Sequence, residues 1–314
     1  MVSNELLKIF KVKTIFIPFA FIFIISLFIG YSSYQEISVN KKAINENWKQ
    51  ELLNQNNNDQ ELINELSKTG DTKSIEKIKI DIMKNEYYIK HDIKPTNNST
   101  LWGFIEKTTT ILSFIQIVVM IYASSMVSKE YNWGTIKFLM IRPVTRLQFL
   151  TSKYISLLIF SIILYCSLFV ISLIMGTMIF GIDSSHLVTL KLSDGKIIEV
   201  SVLSQILFKY VCAFLELIVY ATIAFMISTI LKSNGAAIGA SIFIATSGGI
   251  IAAAFSKYEW SKYLLFTNTD LSMYDKGNVL VKNTTFNFSV TVMIVYTFIF
   301  LLITFLTFKK RDVV

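Results

Sequence analysis

Six long apolar runs restrict this chain to one broad fold class. They cover about residues 15–31, 104–127, 154–180, 206–231, 236–255 and 289–308. A helix needs about 20 apolar residues to cross the hydrocarbon core of a bilayer. Only 17% of the residues are charged, whereas soluble domains carry about 25%. The runs therefore predict an all-α integral membrane protein with six transmembrane helices, and the scarcity of short alternating segments argues against a β-barrel.

The first region, residues 1–34, contains the first span and a short basic segment before it. Leu6, Leu7 and Phe10 recur at helical spacing among lysines, which predicts an amphipathic helix lying on the membrane surface. A charged flank of the first span is the alternative. A cleaved signal peptide is less favoured, because several spans follow and no A-x-A-like site is present.

The remaining polar segments define two further regions. Residues 35–103 contain no run that could cross a bilayer, and their apolar residues recur at helical spacing on either side of Thr69-Gly70-Asp71. This pattern predicts a helical hairpin that is partly coiled-coil. Residues 104–314 are predicted to form a five-span bundle that includes the cationic loop 128–153.

Lysine and arginine are distributed unequally between the two sets of loops. One set is strongly basic, and its cationic groups are Lys8, Lys11, Lys13, those of the 128–153 loop, Lys232, Lys309, Lys310 and Arg311. The other set mixes acidic and basic residues. The positive-inside rule then places both termini and the 128–153 loop in the cytoplasm, and the 35–103 hairpin outside. The net charge of +8 follows this topology and does not indicate a nucleic-acid partner.

No motif in the chain indicates catalysis. The Walker A, dinucleotide-binding, metalloprotease and nucleophile-elbow patterns are all missing from the sequence. The two histidines, His91 and His186, are far apart, and no metal-ligand spacing is visible. We therefore predict a protein that is not an enzyme and that holds no metal or cofactor. The asparagine and lysine richness is typical of an AT-rich bacterial genome, which indicates a bacterial plasma membrane.

The 128–153 loop carries more local structure signals than a simple connector needs. Gly134 allows a turn that other residues resist. The pair Arg142-Pro143 predicts the end of a short amphipathic segment, because the residue before proline avoids the α region. Thr145 and Gln148 have the spacing of a capping box at the start of a helix. Basic character is common in cytoplasmic loops, but these signals predict an ordered loop that covers another surface.

Glu216 is an acidic residue near the middle of the fourth apolar run. A charged carboxylate at that depth costs about 3 kcal/mol on insertion scales, so it needs a polar partner, water or a proton. A polar point on a transport path and a hydrogen bond that packs two helices are equally supported interpretations.

The fifth run is rich in small residues. Gly235 and Gly239 open the run, and small residues continue four apart at Ala237, Ser241, Ala245, Gly249 and Ala253. This pattern allows close approach of helices. Packing within one subunit is the favoured interpretation. A dimer seam or a moving wall is the alternative.

These residues together resemble a known family, the permease subunit of type-2 ATP-binding cassette transporters. The resemblance rests on Glu130, followed by Gly134-Thr135-Ile136-Lys137, by Arg142-Pro143-Val144-Thr145-Arg146, and by Lys153. Their order and spacing are similar to those of the family. The N-terminal helix and the six spans agree more loosely, whereas the long 35–103 hairpin departs from many members.

The resemblance implies a translocation pathway formed by two permease subunits, either identical or related. It implies a separate ABC ATPase subunit, which binds the ATP, docked against the loop. The ATPase-coupling residues would be Glu130, Gly134, Thr135, Lys137, Arg142, Pro143 and Arg146. The expected function is thus the membrane subunit of an ATP-driven exporter.

Two other functions compete with the permease. A membrane sensor or scaffold could bind a ligand through the outer hairpin, but the short tail from Lys309 provides no output domain. A secondary transporter would show more ionisable residues inside its spans and matched broken helices.

Overall fold

The computed structural model describes residues 1–11, 13–40, 48–69, 72–93, 100–134, 145–181, 188–193, 196–276, 279–281 and 284–310. Its α-helices are α1 (Val2–Lys11), α2 (Phe16–Asn40), α3 (Trp48–Thr69), α4 (Thr72–His91), α5 (Leu101–Thr108), α6 (Ile111–Ser125), α7 (Ser128–Asn132), α8 (Arg146–Phe180), α9 (Val202–Ile230), α10 (Asn234–Phe255), α11 (Met273–Lys276) and α12 (Phe286–Lys310). The strands are β1 (Val188–Ser193) and β2 (Lys196–Ser201), and short 3₁₀ turns cover Lys13–Ile15, Glu259–Tyr263 and Leu265–Thr267.

The six predicted spans are confirmed as helices long and apolar enough to cross a membrane. Their bounds are Phe16–Gln35, Leu101–Asn132, Arg146–Phe180, Val202–Ile230, Asn234–Phe255 and Phe286–Lys310. The second span is interrupted at Thr109 and Thr110, between α5 and α6. The protein is therefore a multi-pass membrane protein with a predominantly helical fold.

The chain forms two compact units. The first unit comprises Met1–Ile24, Thr109–Val170 and Phe208–Val314. Within it, α10 packs against α6. The second unit comprises Ile25–Thr108 and Ile171–Leu207.

Helix α10 packs within the first unit through small residues that match the start of the predicted stripe but not its end. Its buried residues are Ala237, Ser241, Gly248 and Ala252. A four-residue repeat drifts by about 40° per step around an α-helix, so a stripe that begins at Ala237 has left the packed face by Gly249. Steps of four and seven residues stay on one face.

Gly235, Gly239 and Gly249 are exposed on α10, so the described residues provide no packing partner for them, and the dimer seam stays a prediction. A Cβ added at any of these three positions would have no described atom of another element within 4 Å. A Cβ added at Gly248 would lie 2.4 Å from Cδ1 of Phe266. Gly248 is thus the close-packing glycine of α10.

In the second unit, α3 and α4 lie side by side and antiparallel. The Asn85 side chain donates a hydrogen bond of 2.8 Å to Asn56 Oδ1, and the Lys49 ammonium lies 2.6 Å from Asp92. Leu52 and Tyr88 share a buried cluster, to which Leu190 of β1 also belongs. The two helices and the strand therefore have a small core of their own.

The β1–β2 hairpin was not predicted, because residues 104–314 were assigned as a whole to a bundle of five spans. The strands pair antiparallel from Val188 with Ser201 to Ser193 with Lys196. The residues between the strands are Asp194 and Gly195. An Asp-Gly pair between alternating apolar residues is the strongest short-range signal for a two-residue hairpin turn.

A folded segment follows α10 in the first unit and is held by one buried amide. Asn268 is 2% exposed. Its Nδ2 donates hydrogen bonds of 2.8 Å and 2.7 Å to the carbonyls of Lys262 and Leu264, and its Oδ1 accepts one of 2.6 Å from Ser289. These bonds fix the segment to the start of α12, because both groups of a buried amide are then satisfied.

Candidate functional site

Two groups of charged side chains in the first unit are the candidates for function. The first lies around Lys153, close to the 128–153 loop, and the second surrounds Glu216.

The Lys153 cluster consists of Lys153, Glu5, Glu130 and Lys8. The Lys153 ammonium lies 2.9 Å from Glu5 Oε2 and 3.0 Å from Glu130 Oε1, and its side chain is only 4% exposed. Lys8 lies 2.6 Å from Glu5 and 3.9 Å from Glu130. Two carboxylates are thereby matched by two ammonium groups, as ion pairs with little access to water require.

The cluster connects three helices. Glu5 belongs to α1, Glu130 to α7 and Lys153 to the second turn of α8. Ser156 adds a hydrogen bond of 3.2 Å to the carbonyl of Val2. The amphipathic N-terminal helix is thus held against both helices that flank the loop.

The charges of the cluster also control the protonation of Glu5. Burial alone would raise the pKa of the Glu5 carboxyl, but the Lys153 and Lys8 ammonium groups outweigh this effect and lower it below its usual value of 4.5. Glu5 is therefore ionised at neutral pH.

The start of the loop is fixed at α7. The backbone N–H groups of Val127 and Ser128 each donate a 3.0 Å hydrogen bond to Ser228 Oγ, and Ser128 Oγ donates one of 3.2 Å to Asn234 Oδ1. Gly134 has a φ of 65°, in the left-handed region that favours glycine. The predicted turn at Gly134 is confirmed, and its cause is this backbone conformation, since no described atom crowds the missing Cβ.

The end of the loop is fixed at the first turn of α8. The capping box is confirmed: the Thr145 N–H donates to Gln148 Oε1 and the Gln148 N–H donates to Thr145 Oγ1, both at 3.2 Å. Arg146 donates a hydrogen bond of 2.9 Å to the carbonyl of Lys309, at the carboxyl end of α12. A guanidinium group is favourable there, because the last carbonyls of a helix have no partners within it.

The structure describes only some of the predicted coupling residues. Glu130 and Arg146 both make contacts within the chain, and Gly134 forms the turn. Four others, Thr135, Lys137, Arg142 and Pro143, lie outside the described residues.

The second group lines a cavity of about 380 Å³, the Glu216 pocket. Glu216 and Lys209 come from one face of α9, and Asp270 comes from the segment that Asn268 holds. Thr109, Thr110 and Ser113 of the second span contribute hydroxyl groups, and Ser272 contributes another. The break between α5 and α6 thus lies at the wall of the pocket.

Glu216 has a polar partner, as expected for a carboxylate inside an apolar run. The Gln116 amide is a hydrogen-bonding neighbour of the carboxylate, and Asp270 is close enough for the two negative charges to interact. Asp270 itself accepts hydrogen bonds of 3.0 Å and 2.6 Å from the N–H and hydroxyl of Ser272. The pocket therefore brings two carboxylates and one ammonium group to a common space.

Sequence reasoning singled out Glu130, Lys153 and Glu216, but not the contacts that they make. Glu5 and Lys153 are 148 residues apart, and no local pattern joins them. Lys153 was assigned to the loop because the third apolar run starts at Tyr154. Among the described residues, no group of three or more His, Cys, Asp or Glu side chains is placed to hold a metal ion.

Comparison with known proteins identifies the family. Residues 74–314 match the family model described as "Protein of unknown function (DUF2705)". The chain belongs to this family. It is 34% identical over 273 residues to "Uncharacterized protein YhcI" of Bacillus subtilis (strain 168), covering 86% of this chain and 85% of that protein. It is 27% identical over 214 residues to "Uncharacterized membrane protein YdbK" of the same organism, covering 67% and 82%.

Proposed function

We propose that this protein is the permease subunit of an ATP-driven exporter in the bacterial plasma membrane. It would hydrolyse no ATP itself, and a separate ABC ATPase would dock on the 128–153 loop. Two permease subunits, identical or related, would form the pathway. Both termini and the loop would be cytoplasmic, and the α3–α4 pair and the β-hairpin would be extracellular.

The observation that carries this proposal is the fixed frame around the loop. The Lys153 cluster joins α7 and α8 through buried ion pairs, and the capping box and Arg146 hold the start of α8. A loop that transmits force needs rigid ends, because movement would otherwise be absorbed at its attachments. A loop that only connects two spans has no such need.

The Lys153 cluster also changes the role proposed for Glu130. Its side chain is 15% exposed and pairs with Lys153, so we assign it to positioning the loop rather than to contacting the ATPase. The contact would then fall to residues of the loop itself, including Lys137 and Arg142. Trp133, a residue of the same loop with 72% of its surface exposed, offers an apolar contact for the same partner.

Coupling would follow from differential binding. ATP favours one arrangement of the two ATPase subunits, and a docked loop that fits one arrangement better biases the spans toward one conformation. Because α1, α7 and α8 meet at Lys153, a displacement of the loop would reach the third span and the N-terminal helix together.

Co-purification tests the proposal. The protein is tagged and expressed together with its neighbouring reading frames, which the proposal predicts to include one that encodes a P-loop ATPase. We expect the ATPase to co-purify, and we expect Lys137→Ala combined with Arg142→Ala to abolish this. The matched control is Lys257→Ala combined with Lys262→Ala, which removes two cations from the loop predicted to be extracellular and should leave the ATPase bound.

The positioning role of Glu130 needs a separate variant. Glu130→Gln keeps the size of the side chain but weakens its pairing with Lys153, so ATPase binding should fall while membrane insertion stays normal. If the variant with Lys137→Ala and Arg142→Ala still binds the ATPase fully, the ATPase does not dock through these residues of the loop. If no P-loop ATPase binds the wild-type protein, the permease proposal is wrong.

The second candidate function is a membrane sensor that binds a ligand through its α3–α4 pair. The separate core formed by Leu52, Tyr88 and Leu190 favours it, because a body with its own core can present a stable binding surface. A sensor would not require an ATPase. The co-purification experiment therefore separates the two functions.

A further inference from the structure

We propose that the Glu216 pocket binds a small solute through a cationic amine, with Glu216 and Asp270 as the carboxylates that receive it. This inference rests on the proposed function only in making the pocket part of the export route. The binding itself requires no ATPase.

The charges of the pocket favour a cation. Glu216 and Asp270 supply two carboxyl groups to the lining, and Lys209 supplies one basic side chain. The two carboxylates are close enough to repel each other. An ammonium group between them would relieve this repulsion, and it would be attracted more strongly in a cleft with low-dielectric walls than in open water.

The size of the pocket favours an organic solute over a few water molecules. About 380 Å³ exceeds the roughly 30 Å³ that one water occupies by an order of magnitude. Binding pockets for small molecules begin at about 300 Å³. A chain of several carbon and nitrogen atoms fits this space.

The other polar groups of the lining suit the rest of such a solute. Thr109, Thr110 and Ser113 present hydroxyl groups from the second span, where the helix is interrupted. Hydroxyl groups both donate and accept hydrogen bonds, so they satisfy amines, amides and alcohols equally. The carboxylates would thus select a positively charged solute, and the hydroxyl groups would accept solutes of varied structure.

A role in helix packing alone explains the pocket less well. Gln116 is sufficient as a hydrogen-bonding partner that joins α9 to α6, and such a bond needs no cavity. In the Lys153 cluster, which has a packing role, the side chains of both acids are almost enclosed. The Glu216 pocket instead leaves space beside its acids.

The experiment measures charge selectivity at a cysteine placed in the pocket. Ser113 is exposed and lines the pocket, so Ser113→Cys is introduced into the full-length protein with Cys166→Ala and Cys212→Ala. Modification rates are compared for a trimethylammonium and a sulfonate methanethiosulfonate reagent, after correction for their rates with a free thiol. We expect the cationic reagent to react about tenfold faster, as electrostatic focusing in a charged cleft predicts.

Ligand binding is measured as protection from the neutral reagent methyl methanethiosulfonate. Cadaverine, a five-carbon diamine, should slow the modification of Ser113→Cys, whereas glutarate, a dicarboxylate of the same length, should not. Glu216→Gln should abolish the protection and reduce the charge selectivity severalfold. Asp270→Asn, at an exposed position, should weaken both, and this variant tests the proposal if Glu216→Gln fails to fold.

Glu259→Gln is the matched control, because Glu259 is an exposed acid of the same segment and does not line the pocket. It should leave selectivity and protection unchanged. Equal rates for the two charged reagents, or equal protection by cadaverine and glutarate, would overturn the proposal. A protected pocket in a protein that binds no ATPase would support this inference and overturn only the proposed function.

Discussion

The carboxylates of the Lys153 cluster and those of the Glu216 pocket have opposite surroundings. In the cluster, each acid lies within 3.0 Å of an ammonium group, and the central lysine is almost inaccessible. In the pocket, two acids face a cavity that also holds Lys209. The first arrangement satisfies its charges internally and holds helices in place, whereas the second leaves room for a ligand. The comparison separates a mechanical site from a binding site within one helical unit.

The largest effect is expected from Lys153→Met. The methionine keeps most of the apolar length but leaves Glu5 and Glu130 without their shared cation. We expect a loss of about 3 kcal/mol in the free energy of unfolding, at the lower end for a broken buried ion pair because Lys8 still contacts Glu5. Thermal unfolding in detergent measures this. The control is Lys129→Met, at an exposed position of the same loop. An equal loss of stability in both variants would show that the Lys153 ion pairs do not hold the helices in place.

A smaller effect is expected where α10 packs against the segment that precedes the pocket residue Asp270. Gly248→Ala would place a methyl group 2.4 Å from the ring of Phe266, four residues before Asp270, so the ring must move. Overpacking of this kind costs about 2 kcal/mol. Gly249→Ala is the matched control, since its methyl group meets no described atom of another element. Thermal unfolding of the two variants should therefore differ, and equal midpoints would show that α10 packs through another face.

Acid should weaken the Lys153 cluster through Glu5. Because its folded-state pKa is lowered, the Glu5 ion pairs contribute their full stability above pH 4.5 and lose it as the pH falls through the lower folded value. Glu5→Gln should cost about 1.5 kcal/mol at neutral pH, as expected for hydrogen bonds to a charged group. The difference between wild type and variant should shrink below pH 4.5. Thermal unfolding across this pH range tests it, and a difference that grows in acid would contradict the assignment.

The smallest effect concerns the capping box. Thr145→Ala removes the oxygen that accepts the Gln148 N–H and should cost about 1 kcal/mol. Hydrogen exchange should accelerate at the first turn of α8 without changing at Glu216. Thr151→Ala is the control, because the hydrogen bonds of that hydroxyl to described residues go to carbonyls of its own helix. Faster exchange in both regions would show that the two sites are not independent.

Patterns with a local cause were predictable from the sequence. The six spans follow from the apolar runs, the capping box from the spacing of Thr145 and Gln148, and the turn at Gly134 from the residue type. The Asp194-Gly195 hairpin could have been predicted by the same kind of reasoning. Contacts between distant segments were not accessible, since neither the pairing of Glu5 with Lys153 nor the approach of Asp270 to Glu216 has a sequence period. The predicted stripe of α10 leaves the packed face toward its end, because a four-residue repeat does not match the helical turn.

The hydrogen bond from Arg146 to the carbonyl of Lys309 has a consequence for biosynthesis. The two residues are 163 positions apart, and the carbonyl belongs to a helix that leaves the ribosome long after α8 has been made. A nascent or truncated chain therefore lacks this anchor, even when the 128–153 segment has already been translated. Any protein that recognises the anchored form would bind finished chains in preference to incomplete ones, which links assembly to the completion of synthesis.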